Sequence, residues 1–237
     1  MKRAIGFGVA DARLRLLRSL RQCVGTLRLR CAYAMLYAMF FVMSFALVRG
    51  YNDPPFAAGL RLTIIPIVLG LIAPFSSAAS DKHPRLVMLT GAAFAAGAAL
   101  ALIEVLSGSP DSLPGVMILL AGFGAGLGLY ITPGNSTTMA AAPAAQSAEA
   151  GGLLNLLRVL GSGIGIASAS LVLAFRLATA VGVPFRTTGA PSALLFAAVR
   201  DTLVMLAAFS TLAAIMVVIR NLPTKGNKLS NIKAEKG

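Results

Sequence analysis

Six long apolar stretches alternate along the chain with short segments that carry most of its charged residues. The stretches run over about residues 32–48, 57–79, 86–106, 114–142, 151–176 and 194–219. A helix over 86–106 would be about 31 Å long, which is enough to cross a hydrocarbon core of about 30 Å. The pattern therefore predicts an all-α membrane protein with six transmembrane helices.

Two polar segments flank the apolar domain, residues 32–220. Residues 1–31 form a basic arm in which leucines and arginines interleave, and residues 221–237 form a polar tail that we expect to be disordered. The helical spacing of leucines between Ala12 and Leu29 is typical of an amphipathic helix that lies on the bilayer surface. A plain cytoplasmic tail of positive charge is the alternative interpretation of the arm.

Composition supports lipid as the solvent of this chain. Hydrophobic residues make up 57% of it and charged residues only 12%, against about 25% charged residues in soluble domains. The formal net charge is +13, but the basic residues concentrate at the two ends of the chain. We therefore expect contacts with the lipid bilayer and its anionic headgroups, and not with nucleic acid.

The distribution of Lys and Arg predicts the orientation in the membrane. Six spans place both termini on one side, where fifteen basic residues fall in the connecting and terminal segments, against three on the other side. Because cytoplasmic segments carry the excess of positive charge, we expect both termini in the cytoplasm of a bacterial-type inner membrane.

Glycines at four-residue spacing predict close contacts between helices. Gly124 and Gly128 in the fourth span, and Gly161 and Gly165 in the fifth, each place two small residues on one helix face. Such faces let the backbones of neighbouring membrane helices approach each other closely.

Prolines mark the expected distortions. Pro66 and Pro74 should kink the second span, and Pro133-Gly134 should bend or break the fourth. A broken helix inside a membrane is tolerated where it faces protein or a water-filled cavity, so the polar residues after Pro133 become candidates for a cavity wall.

Polar side chains inside a bilayer are costly, and those in or near the spans are therefore candidates for a substrate path. The candidates are Asn135, Thr138, Asn155, Arg158, Arg61 and Glu104. Asn155 and Arg158 share one helix face. For Arg158, a role in the path and simple snorkelling to the headgroups both remain open. Arg61 and Glu104 lie near a membrane interface, which favours side chains that reach the interface over side chains that line a substrate path.

No combination of side chains suits catalysis. The sequence has no Ser/His/Asp set, Cys/His pair, paired carboxylates or metal-binding cluster. Its two cysteines, Cys23 and Cys31, have no His or carboxylate neighbours at metal spacing. We therefore expect no enzyme and no resident cofactor or metal, with a proton gradient as the candidate coupling force.

Four stretches together carry a resemblance to a known family: residues 58–66, the loop that ends in Asp81-Lys-His-Pro-Arg85, the fourth span into Pro133, and residues 151–161. They resemble the C-terminal six-helix half of a major facilitator superfamily transporter, nearest to the drug:proton antiporters with fourteen spans. The resemblance implies that substrate lies between two such halves, of which this sequence provides one.

The resemblance also points to a cytoplasmic gating loop. In that family a Gly-x-x-x-Asp-Arg-x-Gly-Arg type loop joins the second and third helices of each half. Asp81 and Arg85 stand at the acid and last-Arg positions, and Lys82 replaces the first Arg. Ser77 and Pro84 replace the two glycines, which departs from the family's pattern.

The implied function is proton-coupled efflux of small amphipathic or drug-like compounds. Three interpretations of the chain stay open: a fragment of a transporter with little activity alone, a half-transporter that pairs with itself or with another six-helix half, and a non-transporting scaffold or regulator whose basic arm binds lipid or a partner. A half-transporter predicts a dimer and a small-molecule substrate between its two copies.

Overall fold

The computed structural model describes residues 25–140, 147–181 and 192–220. All regular structure in these ranges is helical, and six segments are long and apolar enough to cross a membrane. The helices are α1 (Gly25–Gly50), α2 (Pro55–Leu62), α3 (Ile64–Lys82), α4 (Pro84–Val105), α5 (Leu113–Met139), α6 (Ser147–Val181) and α7 (Ser192–Arg220). Helices α2 and α3 together make one span, so the predicted fold class is confirmed for the described residues.

The helices extend beyond most of the predicted spans. The largest difference is at the start of α1, because residues 25–31 are helical although the sequence pattern assigned them to the basic arm. Residues 1–24 of the arm, the tail 221–237 and the predicted end of the fourth span at residue 142 lie outside the described residues.

Contacts between distant residues show that successive spans run antiparallel. At one end of the bundle, called here the Asp81 end, Arg28 of α1 bonds to Met88 near the start of α4. At the other, called the Tyr51 end, the Tyr51 hydroxyl lies 2.7 Å from that of Ser112, and its ring meets Phe196 of α7 edge-on at 5.6 Å. The starts of α1 and α4 thus lie at one end, and the end of α1 lies beside the starts of α5 and α7 at the other, as in an up-and-down bundle.

Helix α1 is the most buried span. Of its apolar window 61% is buried, against 17% for the span Pro55–Lys82. Around it, α5 packs against α3 and α4, α4 packs against α7, and α7 packs against α6. Two buried hydroxyls tie α7 to this core, since Ser210 donates to the carbonyl of Ala92 at 2.7 Å and Tyr130 donates to that of Ala213 at 3.2 Å.

The glycines of α5 lie where neighbouring backbones come closest. A Cβ on Gly124 would stand 2.6 Å from the carbonyl oxygen of Ile65 in α3, and one on Gly128 would stand 3.0 Å from that of Leu69. Gly126 turns toward α4 instead, where its Cβ would be 2.6 Å from the backbone nitrogen of Ala95. Alternate glycines thus bring α5 against two different helices, because no side chain holds the backbones apart.

The expected break at Pro133 does not occur, since α5 continues through it to Met139. Proline lacks the N–H that would bond to the carbonyl four residues earlier, which here belongs to Leu129. The hydroxyl of the buried Ser76 on α3 donates to that carbonyl at 3.4 Å. A neighbouring helix therefore supplies the missing donor, and the helix can remain continuous.

The second span is interrupted near Pro66. Helix α2 ends at Leu62, Thr63 forms a turn, and α3 begins at Ile64 with Pro66 in its first turn. The proline ring removes the donor to the Leu62 carbonyl and crowds it, which accounts for an interruption at this point. Pro74 lies inside α3 without ending it.

Candidate functional site

Three polar side chains from three helices meet near the Asp81 end of the bundle: Tyr33 of α1, Asn135 of α5 and Arg158 of α6, called here the Tyr33 cluster. Asn135 Nδ2 donates to the phenol oxygen of Tyr33 at 3.1 Å, and that oxygen lies 3.3 Å from Asn135 Oδ1. The guanidinium carbon of Arg158 lies 5.4 Å from the centre of the Tyr33 ring, a cation–π distance. Tyr33 is buried and Arg158 is exposed, so the cluster joins the core to an accessible surface.

Two glycines of α6 bring Arg158 to this position. A Cβ on Gly161 would lie 2.8 Å from both the carbonyl oxygen of Arg30 and the Cβ of Tyr33. One turn further, a Cβ on Gly165 would overlap the backbone of Ala34. Without side chains at these two positions α6 rests directly on α1, one turn beyond Arg158.

A buried arginine stands beside the cluster. Arg28 is only 2% exposed, and its guanidinium donates to Thr137 Oγ1 at 2.9 Å and to Met88 Sδ at 3.3 Å. These bonds link α1, α5 and α4. Arg28 was not among the predicted site residues because the sequence pattern placed it in the basic arm. The leucines at helical spacing that run through the arm were the signal that could have placed it in a helix.

The local charge of the site is positive. Arg30 and Arg158 lie near Tyr33, and no carboxylate of the described residues comes within ion-pair distance of either. A solute group that is neutral or negative is favoured in such a field over a cation.

The other two path candidates near this end, Thr138 and Asn155, form no hydrogen bond with the Tyr33 cluster. The Thr138 hydroxyl donates to the carbonyl of Gly134 in its own helix at 2.9 Å. Asn155 is exposed on α6, one turn before Arg158. The six predicted path residues therefore separate, with Asn135 and Arg158 brought together through Tyr33.

Arg61 and Glu104 lie at the opposite, Tyr51 end. Arg61 forms an ion pair with Asp53 in the loop that precedes α2. Glu104 is exposed in the last turn of α4. Neither residue reaches the Tyr33 cluster, because most of the bundle's length separates the two ends.

The candidate gating residues occupy a short connection at the Asp81 end. Helix α3 ends at Lys82 and α4 begins at Pro84, so His83 alone joins them. Asp81, Lys82 and Arg85 are all exposed. No ion pair forms among them in the described part of the chain.

An aromatic face follows α1 from the cluster toward the Tyr51 end. Beyond Tyr33 it carries Tyr37, Phe40, Phe41 and Phe45, all partly exposed. The rings of Tyr37 and Phe40 are 6.5 Å apart, and those of Phe41 and Phe45 are 5.0 Å apart. Arg49 stands 5.8 Å from the Phe45 ring, so an arginine borders the face at each end.

The described residues contain no group of three or more His, Cys, Asp or Glu side chains that could hold a metal ion. The conspicuous chemistry of this part of the chain is therefore aromatic stacking, hydrogen bonding and positive charge. These are the means by which proteins bind organic solutes.

The described residues contain six apolar spans, of which α1 is the most buried, and they define a multi-pass α-helical membrane protein. The sequence profile of the Major Facilitator Superfamily matches residues 6–166, more than half of the chain. The chain belongs to this superfamily. Membership confirms the family resemblance, while the drug:proton antiporter subgroup and the count of fourteen spans stay predictions.

A curated relative is the riboflavin transporter RibZ of Clostridioides difficile (strain 630). It is 31% identical to this chain over 131 residues, which are 55% of the chain and 28% of the relative. The chain thus matches well under two thirds of that protein's length.

Proposed function

We propose that the chain forms one six-helix wall of a transporter that carries a planar heteroaromatic solute along the aromatic face of α1. The observation that carries this proposal is the Tyr33 cluster, where Arg158 covers the Tyr33 ring and Asn135 bonds to its hydroxyl. A guanidinium, an amide and a phenol are suited to a flat molecule with hydrogen-bonding edges, because they offer both stacking and polar contacts.

The aromatic face extends the site along the membrane normal. Tyr37 and Phe40 continue from the cluster, and Arg49 borders the face at the far end. A planar solute could exchange one stacking contact for the next, so no large barrier separates the two ends. The relative's name supplies the first compound to test, riboflavin.

A complete path requires a second wall. In major facilitator folds substrate lies at the interface between two six-helix halves, and the described residues form one such bundle. We assign the second wall to another six-helix unit, for which a second copy of this chain is the simplest source. A parallel homodimer would place two Tyr33 clusters face to face around the axis.

The energy source is proposed to be a proton gradient. The spans carry five described carboxylates, Asp81, Glu104, Asp111, Glu149 and Asp201. Asp201 is paired with Arg176, and the other four are exposed and form no ion pair with a described residue. We place proton coupling on Glu104 because its helix, α4, packs against both α5 and α7. Glu104→Gln should make transport insensitive to an imposed pH difference while exchange at equal pH persists.

Transport can be tested with the full chain in liposomes. Vesicles loaded with unlabelled riboflavin should accumulate labelled riboflavin by exchange. Tyr33→Ala and Arg158→Gln should each lower the initial rate by roughly tenfold, since loss of about 1.4 kcal/mol of stacking or hydrogen bonding corresponds to that factor. Light scattering of the same sample in mild detergent should give the mass of a dimer.

Ser162→Ala is the matched control in α6. The Ser162 hydroxyl donates to the Val159 carbonyl of its own helix at 2.8 Å, so its removal breaks a bond within α6 only. The initial rate of riboflavin exchange by Ser162→Ala should equal that of the wild type. Equal rates for all three variants would contradict the assignment of the site, and a folded monomer without riboflavin exchange would contradict the proposed function.

A further inference from the structure

A cleft of about 580 Å³ separates α6 from α7 toward the Tyr51 end. Its size falls within the range of about 300–1,000 Å³ typical of ligand pockets. The apolar part of its lining is Leu171, Val172, Phe175, Val204, Met205 and Ala208. Since Leu171, Phe175 and Val204 are exposed within the spans, the cleft is open at the surface of the bundle.

An ion pair closes the outer end of this cleft. Arg176 Nε lies 2.9 Å from Asp201 Oδ2, and the two side chains remain 54% and 35% exposed. Arg200, the chain neighbour of Asp201, donates instead to the Leu106 carbonyl at 3.1 Å. The contact with Asp201 uses one of the five N–H donors of the Arg176 guanidinium, so both charged groups keep hydrogen-bonding capacity.

The order of polar and apolar groups follows the order within a phospholipid. Arg176 lies three residues before the end of its span at Thr179, which places the ion pair near the headgroup level. From Asp201 to Ala208 the α7 wall of the cleft runs inward for about 10 Å, at 1.5 Å per residue. Charges of both signs at the surface thus lead into an apolar channel.

We propose that this cleft binds a phospholipid whose headgroup carries both a phosphate and a primary ammonium, namely phosphatidylethanolamine. The Arg176 guanidinium would hold the phosphate, for which a planar fork of donors is well suited. The Asp201 carboxylate would accept hydrogen bonds from the ammonium. One acyl chain would fill the apolar part between Phe175 and Ala208.

The alternatives differ in their headgroups. Phosphatidylcholine has a quaternary ammonium that cannot donate a hydrogen bond to Asp201, and phosphatidylglycerol has no ammonium at all. With identical acyl chains, the three lipids present the same apolar surface to the cleft. The headgroup contacts alone therefore decide between them.

Native mass spectrometry of the purified full chain, with the three lipids added at equal concentration, tests this proposal. Phosphatidylethanolamine should bind roughly tenfold more tightly than the other two, which is the scale of one charge-assisted hydrogen bond. Asp201→Asn should abolish this preference, and Arg176→Gln should weaken binding of all three lipids. Asp111→Asn, at an exposed carboxylate of the same bundle end outside the cleft, should change nothing.

Ala208→Phe provides a second test if Asp201→Asn or Arg176→Gln fails to fold. It fills the apolar part of the cleft without altering either charged group, and it should reduce retention of all three lipids. Equal binding of the three lipids to the wild type would overturn the proposal. So would an unchanged preference for phosphatidylethanolamine in Asp201→Asn together with unchanged lipid retention by Ala208→Phe. Displacement of bound lipid by riboflavin would likewise overturn it, because the cleft would then serve the solute.

Discussion

Replacing Gly161 by alanine should push α6 away from α1. The new Cβ would lie 2.8 Å from the Arg30 carbonyl oxygen and 2.8 Å from the Tyr33 Cβ. Both are closer than real Cβ atoms come to such neighbours, and neither atom can rotate aside because one is backbone and the other is fixed to it. The two helices must therefore separate by several tenths of an ångström.

The magnitude follows from comparison with Gly163, two residues further along the same helix. A Cβ on Gly163 would meet nothing within 4 Å. Glycine to alanine gains up to about 1 kcal/mol of helix propensity at either position. That gain cancels in the comparison, which leaves the overpacking cost of about 1–3 kcal/mol at Gly161 alone.

The assay is reversible unfolding of the two purified variants by sodium dodecyl sulfate in mixed micelles, followed by helical circular dichroism. Gly161→Ala should be about 1–3 kcal/mol less stable than Gly163→Ala. It should also exchange riboflavin more slowly, because Arg158 moves away from Tyr33 together with α6. Equal unfolding free energies for the two variants would refute the close contact between α6 and α1.

Two further predictions concern hydrogen bonds between helices, and the same unfolding measurement checks both. Ser210→Ala removes the buried bond to Ala92 and should cost about 1 kcal/mol, whereas Ser168→Ala, whose hydroxyl bonds within its own helix, should leave stability within about 0.5 kcal/mol of the wild type. Ser76→Ala should destabilise the wild type by about 0.5–1 kcal/mol but have no effect in a Pro133→Ala background, because alanine restores the helical donor to the Leu129 carbonyl. A cost for Ser168→Ala as large as that for Ser210→Ala, or an unchanged effect of Ser76→Ala in the second background, would contradict the bonds assigned here.

The class of protein was readable from the sequence because the bilayer imposes a simple requirement. Apolar stretches of the right length must form helices that satisfy their own backbone groups in lipid. The periodic glycines of the fourth and fifth spans could be recognised for the same reason, since small residues at four-residue spacing have few other uses in an apolar helix.

Contacts between side chains of different helices could not be predicted in this way. Asn135 and Arg158 could be selected because polar groups inside spans are rare, but no pattern indicated that Tyr33 joins them. Arg28 was assigned to the basic arm, yet its guanidinium is buried against Thr137 and Met88. Contacts between helices far apart in sequence depend on their rotation about their own axes, which local composition does not specify.

At Pro133 the local sequence and the tertiary contacts act in opposite directions. Its sequence context predicts a bend or break, because a proline removes one backbone donor. The helix nevertheless continues, because Ser76 from another helix supplies a hydroxyl to the carbonyl left without a partner. The sequence by itself indicated six membrane-spanning helices, because the length and composition of an apolar stretch are local properties of the chain. Only the tertiary structure decided which polar groups meet, because each such contact needs a partner from another helix at the right height and rotation.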